Sequence, residues 1–89
     1  HPPTPVVTVA DKGISKTVLA EIERALNDHE LIKVKVRASD RAARDKMIET
    51  MCADHSASLI QRIGNVALLY RANPDKKPEK RLRIPSRET

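Results

Sequence analysis

The spacing of apolar residues along this chain alternates between a pattern typical of strands and a pattern typical of helices. A short β-branched run at Val6–Val9 has the character of a buried strand. The next apolar positions are spaced as on one face of a helix that Ser15 can cap; they are Val18, Leu19, Ile22 and Leu26. The first third of the chain therefore predicts a strand followed by a helix that ends near residues 27–30.

A second strand and a second helix repeat this order. Between Leu31 and Ala38 the residues alternate, so three apolar side chains are expected on the core side, namely Ile32, Val34 and Val36. The opposite side would carry Leu31, Lys33, Lys35 and Arg37. Ser39 or Asp40 can cap the next helix. Its apolar stripe is Ala43, Met47, Ile48, Met51 and Cys52, and its end is expected at residues 55–57.

Two further apolar runs flank the pair Gly64-Asn65, which is a tight-hairpin signal. The predicted order is β-α-β-α-β-β. This order indicates an α/β single domain with a four-stranded mixed sheet and both helices packed on one face. The other face would stay open and would carry Lys33, Lys35 and Arg37.

The composition fits one small domain with an aliphatic core. The chain has 89 residues, of which 39% are hydrophobic, and its only aromatic residue is Tyr70. The net charge is +5, which favours an anionic partner, although simple solubility explains it equally well. Residues 1–70 contribute +1 and residues 71–89 contribute +4. We therefore divide the chain into a domain at 1–71 and a basic C-terminal tail at 72–89.

Several classes of function find no support in the sequence. Neither a membrane span nor a signal peptide is apparent, and the single Cys52 forms no internal disulfide, so a cytoplasmic protein is expected. His29, His55 and Cys52 lack the spacing of a metal site, and Cys52 is expected to face the core. We predict no enzyme, no cofactor and no small-molecule substrate; the sequence leaves the oligomeric state open.

The turn after the first strand is the first candidate site. Backbone N–H groups from Gly13 to Ser15 could hold a phosphate at the helix N-terminus, with Lys12 or Lys16 supplying charge. The alternative is a plain connection in which the glycine serves only the turn.

The second candidate site is the row of Lys33, Lys35 and Arg37 on the second strand, which includes no acidic residue. It could bind nucleic acid or be a solvated outer face. Tyr70 alone offers no aromatic platform and is expected at the edge of the core. Any RNA would then be recognised mainly through its backbone charge and shape.

Four blocks occur in an order that resembles the CRM domain (chloroplast RNA splicing and ribosome maturation), most closely the stand-alone bacterial YhbY-like proteins. The blocks are PVVTVADKGIS, VLAEIERAL, HELIKVKV and IGNVALLYR. The resemblance implies RNA binding, associated in bacteria with precursors of the large ribosomal subunit. It also implies a fold similar to the C-terminal domain of translation initiation factor three, preceded by a helix that this chain lacks.

The family carries a G-x-x-G loop likened to that of KH domains. The matching residues here are Ala10, Asp11, Lys12 and Gly13, so the first glycine is replaced by alanine and an acid follows it. We interpret the protein as one that binds the backbone of structured ribosomal RNA during large-subunit assembly. The alternative is a protein-interaction module that docks on ribosomal proteins or another assembly factor. The expected RNA contacts are Lys12, Gly13, Ser15, Lys16, Lys33, Lys35, Arg37, Arg71, Lys76, Lys77, Lys80, Arg81 and Arg83.

Overall fold

The computed structural model describes residues 4–10 and 14–75. Within these residues the element order is the predicted one. The elements are β1 (Val6–Val9), α1 (Lys16–His29), β2 (Leu31–Val36), α2 (Arg41–His55), β3 (Ser58–Ile63) and β4 (Val66–Tyr70). The expected contacts Lys12, Gly13, Lys76, Lys77, Lys80, Arg81 and Arg83 lie outside the described residues.

The strands form a mixed sheet in the order β1-β2-β4-β3. β1 runs parallel to β2, while β4 is antiparallel to both β2 and β3. The parallel pair needs a crossover, which α1 provides, whereas the antiparallel pair β3–β4 is joined by a tight hairpin.

Both helices cover one face of this sheet, as predicted. Helix α1 contributes Ile22 and Leu26 to the core, and α2 contributes Ile48 and Met51. The inward-facing strand residues in the same cluster are Val7, Val9, Ile32, Val34, Val36, Ala67 and Leu69. Burying this aliphatic surface is the main stabilising contribution available to a domain without buried aromatic rings.

Local signals determine where each helix begins and ends. Ser15 caps α1 by accepting the N–H of Val18 at 3.2 Å, and Asp40, rather than Ser39, caps α2 by accepting the N–H of Ala43 at 2.7 Å. Beyond the C-termini, Glu30 and Ser56 adopt positive φ angles of 65° and 52°. The chain therefore reverses sharply after each helix and enters the next strand at once.

The hairpin turn uses a glycine for a conformational reason. Gly64 has a φ of +58°, and among the described non-glycine residues only Glu30 and Ser56 have positive φ, so Asn65 does not. A positive φ at the first turn position alone is the pattern of a type II′ turn, which favours glycine there.

Strand β3 contains a register shift between Leu59 and Gln61. Leu59 is paired with the buried Leu69, whereas Gln61 is paired with Leu68 on the opposite face of the sheet. The tight hairpin sets Ile63 opposite Val66, so Gln61 points away from the helices and Arg62 points toward them, where it forms an ion pair with Asp45 of α2. The shift places Leu59 on the helix side of the sheet.

The sheet has two distinct ends. At one end, which we call the loop edge, β1 and β2 finish and α1 and α2 begin. Hydrogen bonds of 2.8 Å bring Arg37 N–H to the carbonyl of Val9, and Val36 N–H to the carbonyl of Asn65. At the opposite end Arg71 N–H donates to the carbonyl of Glu30 at 2.9 Å.

The position expected for Tyr70 is wrong. Tyr70 alternates with the buried residues Ala67 and Leu69 along β4, and it is not part of the core cluster. Its half-buried ring lies on the sheet face away from the helices, because residues 66, 68 and 70 share one side of the strand.

Candidate nucleic-acid interface

The sheet face away from the helices, hereafter the open face, is built from rows of paired residues. One row crosses the sheet as Val6, Lys33, Leu68 and Gln61, and the next crosses it as Thr8, Lys35, Val66 and Ile63. A third, shorter row is formed by Leu31, Tyr70 and Ser58. Within the described strands, this face therefore contains two lysines and no acidic residue.

The two lysines lie on β2, which has a strand on each side. Both are exposed, and Arg37 follows them two residues after Lys35. Alternate residues of a strand are about 6.7 Å apart, so the three cations form a line that runs to the loop edge. None of the three takes part in either ion pair found in the described residues. The exposure of all three side chains agrees with the alternation, and their contact with a ligand stays a prediction.

The N-terminus of α1 lies at the same edge. Its capping residue Ser15 is neutral, and its first turn contains no acidic residue. Lys16 begins the helix and is exposed. By contrast, α2 begins behind the carboxylate of Asp40. Among the described residues, the partial positive charge of the helix N-terminus is thus offset by a capping carboxylate at α2 and not at α1.

Arg71 has a different environment from the lysines. Its two terminal nitrogens donate to both carboxylate oxygens of Glu23 at 2.9 and 2.8 Å, to the carbonyl of His55 at 2.9 Å and to Oδ1 of Asn27 at 2.7 Å. These bonds occupy all four N–H groups of the terminal nitrogens. This guanidinium therefore joins the end of β4 to both helices, while the expectation that Arg71 contacts RNA stays a prediction.

The Arg71–Glu23 contact also shifts the pKa values of both side chains. The hydrogen bond from Arg71 lowers the pKa of Glu23, with further lowering from the charges of Arg71 and His55 and an opposing effect of partial burial. The same hydrogen bond raises the pKa of Arg71. Each partner therefore stabilises the charged form of the other.

A second set of bonds directs the chain after β4. The buried Glu30 accepts the backbone N–H of Asn73 through Oε2 at 2.6 Å, and the Asn73 side chain donates to the carbonyl of Asn27 at 2.9 Å. Oδ1 of Asn73 accepts the N–H of Asp75 at 3.0 Å. The chain thus leaves the domain at the end of the sheet opposite the loop edge.

The histidine and cysteine of α2 do not form a catalytic pair. Both ring nitrogens of His55 lie against backbone carbonyls, Nδ1 against Met51 at 2.9 Å and Nε2 against Leu19 at 3.0 Å. Cys52 packs against the core, and burial raises the pKa of its thiol. Across residues 4–10 and 14–75, no cluster of three or more His, Cys, Asp or Glu could hold a metal ion. In the same ranges, none of the helices has the length and apolar character needed to cross a bilayer.

Sequence reasoning missed a set of apolar side chains on the open face. Ile63 is 68% exposed, and with Val66 and Leu68 it lines a groove of about 460 Å³ whose other walls are Lys33 and Gln61. A signal was present in β4, whose five residues are all apolar although a sheet covered on one face needs only alternate apolar residues.

One family model and two bacterial relatives match most of this chain. The family model of the CRS1 / YhbY (CRM) domain matches residues 1–71. The chain is 50% identical over 82 residues to a Pseudomonas aeruginosa protein named "Probable RNA-binding protein PA4753", covering 92% of this chain and 77% of that one. A Haemophilus influenzae protein named "RNA-binding protein" is 43% identical over 77 residues, covering 86% of this chain and 78% of that one.

A solved structure has the same fold. The solution structure of SAV1595, a hypothetical protein from Staphylococcus aureus described as a candidate RNA-binding protein, superimposes with a TM-score of 0.71 at 27% identity. The match covers 82% of this chain and 76% of that one.

Proposed function

This chain belongs to the CRS1 / YhbY (CRM) domain family, and we propose that it binds RNA through the open face and the loop edge. One observation carries the proposal: Lys33, Lys35 and Arg37 form an exposed line of cations on a sheet face whose described strands contain no acid. Such a line of cations fits the phosphates of RNA. Binding is favoured because each phosphate that a lysine or arginine neutralises releases bound counterions.

The loop edge extends this surface. Lys16 and the α1 N-terminus lie at the same end of the sheet as Arg37, so a phosphate backbone that follows β2 would arrive at the end where this helix begins. Lys12, Gly13 and Ser15 belong to the same proposal through the turn that leads into α1. Ser15 already accepts a hydrogen bond as the helix cap, but its hydroxyl can still donate one to a phosphate.

A more specific proposal concerns which RNA is bound and what the basic tail contributes to binding. The substrate we propose is ribosomal RNA in precursors of the large ribosomal subunit, in line with the family resemblance described above. The basic tail, with Lys76, Lys77, Lys80, Arg81 and Arg83, would add non-specific attraction to phosphates. Since the chain leaves β4 away from the loop edge, the tail would start from the far end of the proposed RNA surface.

The test compares two variants with the same loss of charge. Lys33→Gln/Lys35→Gln removes two cations from the open face, whereas Arg24→Gln/Lys46→Gln removes two exposed cations from the helices. Affinity for a large-subunit ribosomal RNA fragment is measured by filter binding at fixed salt. We expect the open-face variant to bind at least about tenfold more weakly and the helix variant to bind nearly as the parent.

Two outcomes would count against the proposal. Equal losses in both variants would mean that only net charge matters, and unchanged binding in both would remove the open face from the interface. The identity of the RNA is tested separately by crosslinking in cells. Recovery in proportion to RNA abundance, without enrichment of large-subunit ribosomal RNA, would contradict the ribosomal assignment.

A further inference from the structure

We propose that the groove on the open face holds an unpaired nucleobase while Lys33 and Lys35 bind the adjoining phosphates. This inference rests on the proposed function and narrows it, because it makes single-stranded RNA the preferred ligand of the open face. It also departs from the expectation that recognition depends mainly on backbone charge and shape.

The dimensions of the groove suit a flat heterocycle. It crosses the sheet from Lys33 on β2, over Val66 and Leu68 on β4, to Gln61 and Ile63 on β3. Neighbouring strands are about 4.8 Å apart, so the groove spans about 10 Å between its two flanking strands. The groove is open to solvent on one side, and its volume of about 460 Å³ leaves room for one base.

The residues that line the groove favour a ligand with both an apolar face and a negative charge. Val66 and Leu68 form an apolar floor, and Ile63 rises beside it with most of its side chain in water. The aliphatic stem of Lys33 can complete the apolar wall while its ammonium stays at the rim. A ligand that gains from this site therefore combines an apolar face with a negative charge, as a nucleotide does.

Paired RNA does not present that combination. In an A-form duplex the base faces are stacked inside the helix, and proteins reach mainly phosphates and 2′-hydroxyl groups. An unpaired nucleotide exposes the face of its base together with its phosphate. The apolar groove would thus distinguish a loop or bulge from a helix of equal charge.

Gln61 adds a polar contact at the far wall. Its amide carries both donors and an acceptor, and within the described residues it has no hydrogen-bond partner. The edge of an unpaired base also offers donors and acceptors. Gln61 lies in this position because the tight hairpin sets Ile63 opposite Val66, which places Gln61 opposite Leu68 on the open face.

An acidic peptide fits these observations less well. A peptide that extended the sheet would run along the outer edge of β1 or of β3, whereas the groove runs across the strands. The register shift between Leu59 and Gln61 also interrupts the ladder that such a peptide would need. The direction of the groove and the acid-free surroundings together favour RNA.

The test uses two ten-nucleotide RNAs with the same number of phosphates. One has a mixed, unpaired sequence, and the other has abasic sites at its four central positions. Affinities of the full chain are measured by fluorescence anisotropy at low salt. We expect the wild-type protein to bind the abasic strand about five- to tenfold more weakly, the scale of losing one base contact.

Two single variants connect this difference to the groove. Ile63→Ala should weaken binding of the base-bearing strand by about fivefold and leave the abasic strand unchanged. Leu59→Ala is the matched control, because Leu59 is exposed on the same strand but precedes the register shift and is paired with Leu69. It should leave both affinities unchanged.

The outcomes separate this inference from the proposed function. Equal affinity of the wild-type protein for the two strands would contradict the binding of a base in the groove. It would leave the proposal of RNA binding unaffected. Absence of binding to either strand and to the ribosomal fragment would overturn both. Equal losses from Ile63→Ala and Leu59→Ala would overturn the assignment of the base to the groove. Saturable binding of an acidic peptide in place of RNA would assign the open face to a protein partner.

Discussion

Arg71 binds both carboxylate oxygens of Glu23, although the two residues are 48 positions apart in the sequence. This bidentate pair joins the residue after the last strand to the first helix. Since Arg71 also donates to the carbonyl of His55, one side chain connects three elements of the fold. Several experiments can distinguish this structural role from a role in RNA binding.

Replacing Arg71 should change stability rather than RNA affinity. Arg71→Ala leaves Glu23, the carbonyl of His55 and Oδ1 of Asn27 without their donors, so we expect a loss of about 1–3 kcal/mol in the free energy of unfolding. Urea denaturation measures this loss. Arg71→Lys should recover part of the stability because it keeps the charge but not the forked geometry. A variant that stays as stable as the parent and binds RNA more weakly would restore Arg71 to the RNA interface.

The Arg71–Glu23 pair should also give stability a pH dependence. The folded state lowers the pKa of Glu23 from its usual value of 4.5, so this carboxylate stabilises the protein above that pH. The contribution is lost as the pH falls through the lowered pKa. Because Glu23 is about half exposed, the scale is that of a surface pair, about 0.5–1 kcal/mol at pH 7.

The measurement compares Glu23→Gln with the parent between pH 7 and pH 3. The difference in unfolding free energy should be largest at pH 7 and shrink as the pH falls below 4.5. Glu21→Gln, an exposed carboxylate on the same helix, is the matched control. A constant difference across this pH range would mean that Glu23 contributes through packing rather than through its charge.

Cys52 should react slowly while the protein is folded. It packs against the core on α2, and burial raises the pKa of its thiol, so little thiolate is present at pH 7.5. Alkylation by iodoacetamide, followed by mass spectrometry, should be slower than for a free thiol. It should accelerate when urea unfolds the chain. Equal rates in the folded and unfolded states would contradict the buried environment.

The sequence was sufficient for the fold because its strongest signals are local. The alternation from Leu31 to Ala38 determines which side of β2 is buried, and that side is the same in the structure. The helix ends follow from capping residues that lie beside them. The sequence does not predict the face on which Tyr70 lies, because β4 is apolar at every position and shows no alternation.

The candidate site was predictable only in part. Lys33 and Lys35 followed from alternation, whereas the role of Arg71 depends on Glu23, a partner brought close only by the complete fold. The groove residues Gln61 and Ile63 take their register from the tight hairpin, whereas the register shift moves Leu59 to the other face. A register shift leaves no residue pattern in a strand of six residues, so the orientation of Leu59 required the structure.

The hairpin turn provides a test of backbone strain without a change in packing. A Cβ added at Gly64 would meet no atom within 4 Å, so the cost of Gly64→Ala comes from its φ of +58° alone. We expect a loss of about 1 kcal/mol in the free energy of unfolding. Asn65→Ala is the control, since Asn65 has no positive φ and its carbonyl still accepts the N–H of Val36. Equal stability of Gly64→Ala and the parent would mean that the turn relaxes to another type.

The salt dependence of RNA binding tests whether the open-face lysines contact phosphates. Each phosphate contact contributes about 0.7–0.9 to the slope of log affinity against log salt. Lys33→Gln/Lys35→Gln should therefore reduce the magnitude of this slope by about 1.4–1.8 relative to the parent. Arg24→Gln/Lys46→Gln, which removes the same charge from the helices, should leave the slope nearly unchanged because those side chains lie away from the open face. An open-face variant that loses affinity at the parental slope would contradict phosphate contacts by these two lysines.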